Sequence, residues 1–268
     1  MYGLDGKSVI VTGAAAGVGL AIAAKMAEEG ARVMLAGTDE ARLEAEAERL
    51  ARDGSDVQFF AGDLRERLAI ANLISATLDA YDRIDILVNA SREVMACDPL
   101  DPDDTTFEHL LDRNVVSTLR LSQSVARRMI QEANGQEGDR AGIGAIVNVT
   151  SIAARRTLPE LAFYSVVSAA LDQLTRSMAV SLASKGIRVN AIALGSVMSA
   201  SLQSALKSSE DLQSELTAVT PLGRIGEAEE AAEVAVFLAS EAASFVTGQI
   251  VAVDGGRTML DPMERPAH

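Results

Sequence analysis

A single cysteine, Cys97, leaves no internal disulfide to form; this suits a reducing compartment and sets the expectation of a cytoplasmic protein. The two histidines, His109 and His268, stand far apart, and with one thiol beside them no metal centre is expected. No apolar run approaches the ~20 residues of a membrane span. Nor does the sequence begin with a basic segment followed by an apolar stretch and a cleavage site. Lys7 leads almost at once into a strand and a glycine loop, so no signal peptide is expected. Internal repeats and low-complexity segments are missing. Positive charge is outweighed: 24 Lys and Arg against 38 Asp and Glu give a formal net charge of -14. Such a chain repels phosphates as a whole, which turns the expectation away from nucleic acid.

What is present fits one large domain spanning residues 1–268. The chain is 48% hydrophobic and 23% charged, ordinary values for a globular protein with a full core. Apolar β-branched runs alternate with helical stretches. Strands are predicted at Ser8–Thr12, Arg32–Ala36, Val57–Ala61, Ile84–Asn89, Ala145–Thr150, Arg188–Ala193 and Gln249–Val253. Helices are predicted from the first glycine turn to about Glu29 and over Glu40–Arg52. Strands this apolar, separated by helices, imply a parallel sheet covered on both faces. That is a doubly wound α/β Rossmann fold of about seven strands, with ligands at the carboxyl ends of the strands. Glu132–Gly144 reads as a surface loop, and the tail after Gly256 as a fraying end. The stretch Ser196–Thr220 is too long for a tight connection and reads as a helical flap over the crevice.

The segment Thr12-Gly13-Ala14-Ala15-Ala16-Gly17-Val18-Gly19 follows the first strand and opens the first helix. Glycines there let the backbone turn sharply and approach a pyrophosphate, which meets the amides and positive dipole of the helix start. A glycine triplet alone is a weak signal; its place after strand one of an alternating pattern makes it a strong one.

This TGxxxGxG loop resembles that of the short-chain dehydrogenase/reductase family, and the likeness runs from about Gly6 to Gly256. Asp63-Leu64 resembles the family's adenine-contacting pair, and Asp85-Ile86-Leu87-Val88-Asn89 its fourth strand end. Asn114, Ser151 and Tyr164 stand where the family has its catalytic asparagine, serine and tyrosine. Arg188-Val189-Asn190 and Thr247-Gly248-Gln249 to Asp254-Gly255-Gly256 match the C-terminal signatures. The resemblance implies an NAD or NADP cofactor bound by Gly13, Gly17, Val18, Gly19, Asp63, Leu64, Asn89 and the residue at Ser168. It also implies a small-molecule carbonyl or alcohol substrate and a dimer or tetramer, homo- or hetero-oligomeric.

Three departures from the family pattern cluster around the nicotinamide and ribose. The lysine four residues after the tyrosine is Ser168 here. In the family that lysine holds the ribose and eases loss of the tyrosine proton. A cation about 5 Å away, at an effective dielectric of about 20, favours a phenolate by roughly 3 kcal/mol, and serine supplies no charge. Alcohol oxidation, which needs the tyrosine as a base, should suffer more than carbonyl reduction, which uses it as an acid. The usual Asn-Asn-Ala-Gly reads Asn89-Ala90-Ser91-Arg92. Arg92 has three open placements: in the crevice as a replacement cation, across the nicotinamide half as an obstruction, or out in solvent. After strand two, Ala36-Gly37-Thr38-Asp39 carries neither the acid of an NAD-preferring member nor the base of an NADP-preferring one. Leu194-Gly195 replaces the usual Pro-Gly.

Arg155-Arg156 could attract an anionic substrate or form a solvated pair, and Met95, Cys97 and Met198 could line the pocket or pack beside it. Two functions stay open at this point. One is an oxidoreductase of reduced or altered activity; the other is an inactive subunit that supports an active paralogue.

Overall fold

The computed structural model describes residues 2–134, 142–208 and 211–261. Its strands are β1 (Ser8–Thr12), β2 (Arg32–Gly37), β3 (Val57–Ala61), β4 (Ile86–Asn89), β5 (Gly144–Ser151), β6 (Ile187–Leu194) and β7 (Ile250–Val253). They form one parallel sheet in the order β3-β2-β1-β4-β5-β6-β7. The chain leaves β1 toward β2 on one side and later returns to place β4 on the other. A crevice therefore opens beyond the carboxyl ends of β1 and β4, where the direction of winding reverses.

Side-chain alternation along the strands supplies both faces of the sheet. Val9, Val11, Val33, Leu35 and Val88 pack toward α1 (Gly17–Glu28), α2 (Glu40–Arg52) and α9 (Ala228–Ala239). Ile10, Met34, Leu87 and Ile146 point the other way. They pack against α3 (Arg67–Tyr81), α5 (Ser117–Asn134) and α6 (Ala162–Ala183). Residues of both sets, such as Val9 and Ile10, are fully buried, which is why the strands read as continuous apolar runs.

Strand boundaries move from the predicted ones by one or two residues. The predicted loop Glu132–Gly144 begins later than expected, because α5 continues through Asn134; most of it, 135–141, lies outside the described residues. The last seven residues of the predicted tail, His268 among them, also lie outside the described residues. Within Ser196–Thr220 the described chain forms two short helices, α7 (Ala200–Ser208) and α8 (Leu212–Ala218). Among the described residues no helix is long and apolar enough to cross a membrane.

The C-terminal signatures have structural duties. Arg188 donates to the carbonyls of Leu238 (2.6 Å), Ala239 (3.1 Å) and Ser240 (2.9 Å), satisfying the end of α9. Asp254 accepts from Gly256 N and Thr258 N, each at 2.9 Å. A Cβ on Gly195 would stand 2.3 Å from the Asp254 Cβ, so the Leu194-Gly195 pair keeps the one residue that this crossing requires.

Candidate active site

The loop after β1 is stitched to the end of β4. Thr12 Oγ1 accepts the backbone N–H groups of Ala90 (3.0 Å) and Ser91 (3.1 Å). Gly13 has φ +65° and passes so close that a Cβ would lie 2.8 Å from the Ala90 carbonyl. A Cβ on Gly19 would lie 2.3 Å from the Gly13 oxygen. Ala16, at the N-cap of α1, is extended and offers its helix no side-chain cap. The first amides of α1 therefore keep their positive end for whatever enters the crevice. Gly13, Gly17, Val18, Gly19, Asp63, Leu64 and Asn89 line one cavity of about 390 Å³. A Cβ at Gly13 or Gly19 would collide within this cradle, and amides at a helix start suit a pyrophosphate, so the residues present fit a dinucleotide.

At the far end of the cavity Asp63 is already paired. Arg65 Nε donates to both of its carboxylate oxygens, at 3.0 and 2.9 Å, and Arg113 stands 3.7 Å away. The Arg65 hydrogen bonds hold the Asp63 carboxyl down at about 2. Asp39, which also lines the cavity, caps α2 by accepting from Arg42 N at 3.2 Å.

Ser151, which like Tyr164 is not among the residues lining this cavity, closes β5, and its hydroxyl accepts Ala153 N at 3.1 Å to start a 3-10 turn. Tyr164 follows on α6, buried against Leu110, Ala153 and Val167, with Met95 packed beside them. Ser168, one turn further on, donates its hydroxyl to the Tyr164 carbonyl at 2.7 Å and does not line the cavity. Arg92 turns into the crevice and not out to solvent, which fits either of its two crevice placements. Its Nη1 donates to Tyr164 Oη at 3.0 Å, and the side chain lines the cavity.

Asn114 lies in a single π turn, Asp112–Val116, between α4 (Thr106–Leu111) and α5. Such turns break the 3.6-residue repeat and aim a side chain out of register. The Asn114 carboxamide holds the residue next to Arg92: Oδ1 accepts Glu93 N and Nδ2 donates to the Glu93 carbonyl, both at 2.8 Å. The Glu93 carboxylate meets His109 Nε2 and Arg113 Nε, each at 3.0 Å. Asn89 reaches under the crevice floor, donating to Ser122 Oγ at 3.0 Å and to Asn148 Oδ1 at 2.8 Å.

Other candidates have bland employment. Arg156 donates to the Thr258 carbonyl. Cys97 ties the loop ahead of α6, accepting Phe163 N at 3.5 Å. Among the described residues no group of three or more His, Cys, Asp or Glu could hold a metal ion. Sequence reasoning missed the Asp63–Arg65 pair, the Glu93 clamp and a buried acid, Asp172, whose Oδ1 lacks a hydrogen-bond partner. Burial pushes its carboxyl up, against the lowering effects of Thr150, Arg176 and Arg155. The i, i+4 spacing of Ser168 from Tyr164, and of Asp172 from Ser168, was the available signal.

The sheet order and the glycine cradle after β1 are those of a short-chain dehydrogenase/reductase. The family model described as enoyl-(acyl carrier protein) reductase matches residues 13–258, and the chain belongs to this family. It is 36% identical to galactitol 2-dehydrogenase (L-tagatose-forming) of Cereibacter sphaeroides, over 97% of this chain and 98% of that one. It is 34% identical to an uncharacterized oxidoreductase of Thermotoga maritima, over 96% and 99%. Among solved structures it resembles a 7α-hydroxysteroid dehydrogenase complexed with NADH and 7-oxo glycochenodeoxycholic acid. That likeness has a TM-score of 0.87 at 31% identity, covering 94% of each chain.

Proposed function

We propose that this protein is an NAD(P)-dependent oxidoreductase of a small-molecule carbonyl or alcohol, in which Arg92 supplies the cation that Ser168 does not. The observation that carries the proposal is the 3.0 Å bond to Tyr164 Oη from Nη1 of Arg92, a residue that lines the cavity with the glycine cradle. Gly13, Gly17, Val18 and Gly19 would hold the pyrophosphate, Leu64 and an Asp63 carboxylate shared with Arg65 would meet the adenine, and Asn89, whose Nδ2 is spent on Ser122 and Asn148, would meet the neighbouring ribose by its remaining atoms. When bound, the dinucleotide supplies or takes the hydride.

Ser151 holds the substrate oxygen and Tyr164 gives it a proton in reduction. Arg92 cannot take that proton itself, since a guanidinium stays charged and has no acceptor. It acts by charge. A cation about 4 Å away at an effective dielectric of about 20 favours the phenolate by roughly 4 kcal/mol, and solvent at the half-buried guanidinium lowers that figure. The same cation serves both directions: it makes the phenol a readier acid in reduction and leaves more phenolate to act as the base in oxidation. Ser168 adds no ribose contact while its hydroxyl is spent on the Tyr164 carbonyl, so dinucleotide affinity is expected to be modest.

Calorimetric titration with NADH and NADPH, followed by a panel of ketones and alcohols, tests the reading. Binding of one dinucleotide and turnover of at least one ketone are expected; a folded chain that binds neither would overturn it. The spent Ser168 hydroxyl and the exposed Val166 and Val180 on α6 favour a second reading, an inactive subunit supporting a paralogue in a hetero-oligomer. Turnover by the purified chain alone rules that reading out.

A further inference from the structure

The charged side chains that line the cavity are Asp39, Asp63, Arg65, Arg92 and Arg113. Four of the five have partners of opposite charge. Arg65 and Arg113 meet Asp63, Arg113 also meets Glu93, and Asp39 meets Arg42. Arg92 differs: among the described residues it has no carboxylate partner, and its one hydrogen bond goes to the Tyr164 hydroxyl. The acid next to it in sequence is held elsewhere, because Glu93 is taken by His109 and Arg113 while Asn114 fixes its backbone. The two arginines after Ser151 do not line the cavity. Arg156 is tied to the Thr258 carbonyl, and Arg155 is exposed on the side of Asp172 and Asp254.

A half-buried cation without a counter-ion calls for an anion from outside. Only one of the Arg92 terminal nitrogens is used on Tyr164. The edge formed by Nε and Nη2 is left, and two parallel N–H groups in a plane match a carboxylate. We infer that the substrate carries a carboxylate on the carbon next to the reacting one: a 2-oxo acid, or the corresponding 2-hydroxy acid. This inference rests on the reading of Tyr164 as proton donor. With the keto oxygen at Tyr164, the adjacent carboxylate falls beside the guanidinium that already touches the phenol. In the reaction C2 gains a hydride from the reduced dinucleotide, its C=O π electrons pass to oxygen, and that oxygen takes the Tyr164 proton. The products are the 2-hydroxy acid and the oxidised dinucleotide.

The test uses a matched pair, 2-oxopentanoate and its methyl ester, which share the ketone and differ in the charge. Each is titrated calorimetrically into the full chain saturated with oxidised dinucleotide, where the ternary complex cannot react. The same titrations are run on Arg92→Gln and Arg92→Lys, with circular dichroism to check folding. The acid is expected to bind at least tenfold more tightly than the ester, a typical effect of a charge-assisted pair. That preference should vanish in Arg92→Gln and survive in part in Arg92→Lys. Equal binding of acid and ester by the parent would overturn the inference, as would a preference that persists in Arg92→Gln. If Arg92→Gln weakens dinucleotide binding and leaves the acid and ester preference intact, the anion Arg92 serves belongs to the cofactor, and the inference falls. Turnover of neutral ketones with no advantage for the acid removes this inference alone. Failure to bind either dinucleotide removes the functional reading and this inference with it.

Discussion

Asn114 grips Glu93 by both ends of its backbone, with Oδ1 accepting from the N–H and Nδ2 donating to the carbonyl, each at 2.8 Å. The grip fixes the peptide that follows Arg92, so it sets where the guanidinium can reach. Asn114→Ala leaves a partly buried N–H and C=O without their side-chain partners, at a cost of about 1–3 kcal/mol, toward the lower end where water reaches them. We expect urea unfolding to report that loss, and kcat for carbonyl reduction to fall about tenfold. In an Arg92→Gln background the same substitution should leave kcat nearly unchanged, because the two residues act through one contact.

The glycine cradle gives a second prediction. Gly13→Ala must place a Cβ 2.8 Å from the Ala90 carbonyl at a φ of +65°. Left-handed backbone with a side chain costs roughly 1–2 kcal/mol, and the collision adds to it. Calorimetry should show loss of dinucleotide binding by a factor of ten or more, with circular dichroism still reporting a folded chain. Unchanged binding would mean the dinucleotide does not use this loop.

Asp172 supplies a pH dependence. Burial raises its carboxyl above the usual aspartate value, so the folded chain holds a proton that the unfolded chain releases. Its contribution to stability therefore falls as the pH rises through the unfolded value, ~3.9, toward the higher folded one. Asp172→Asn mimics the protonated form. The variant should be more stable than the parent at pH 7, and the gap should shrink as the pH drops toward 4. Denaturant midpoints at the two pH values measure it, and a variant less stable at pH 7 would contradict this account.

Much of the fold was legible in the sequence, because parallel strands buried on both faces must be apolar along their whole length and Val9, Ile10 and Val11 are. The glycine cradle was legible too, since Gly13 and Gly19 stand where no Cβ fits. The side-chain partners were not. Asp63 looked like a free adenine contact, yet Arg65 two residues on takes both of its oxygens. Nothing in the order Asn89-Ala90-Ser91-Arg92 says which way the arginine turns. That depends on Asn114, 22 positions later, and on the π turn that aims it.

Restoring the family lysine tests whether one cation is enough. Ser168→Lys alone would set a second cation beside Arg92 at the same phenol, and like charges this close repel. We expect little gain, or a loss, from the single change. In an Arg92→Gly background the lysine should recover activity about tenfold over Arg92→Gly alone. Steady-state reduction rates of the four proteins make this comparison.

The central claim is that the Arg92 cation assists the Tyr164 proton. The most direct measurement is kcat for dinucleotide-dependent carbonyl reduction, against pH, in the parent, Arg92→Lys and Arg92→Gln. The account predicts that Arg92→Gln loses between about tenfold and a hundredfold, roughly 1.4–2.8 kcal/mol, with Arg92→Lys in between. A neutral glutamine that turns over as fast as the parent at every pH would contradict it.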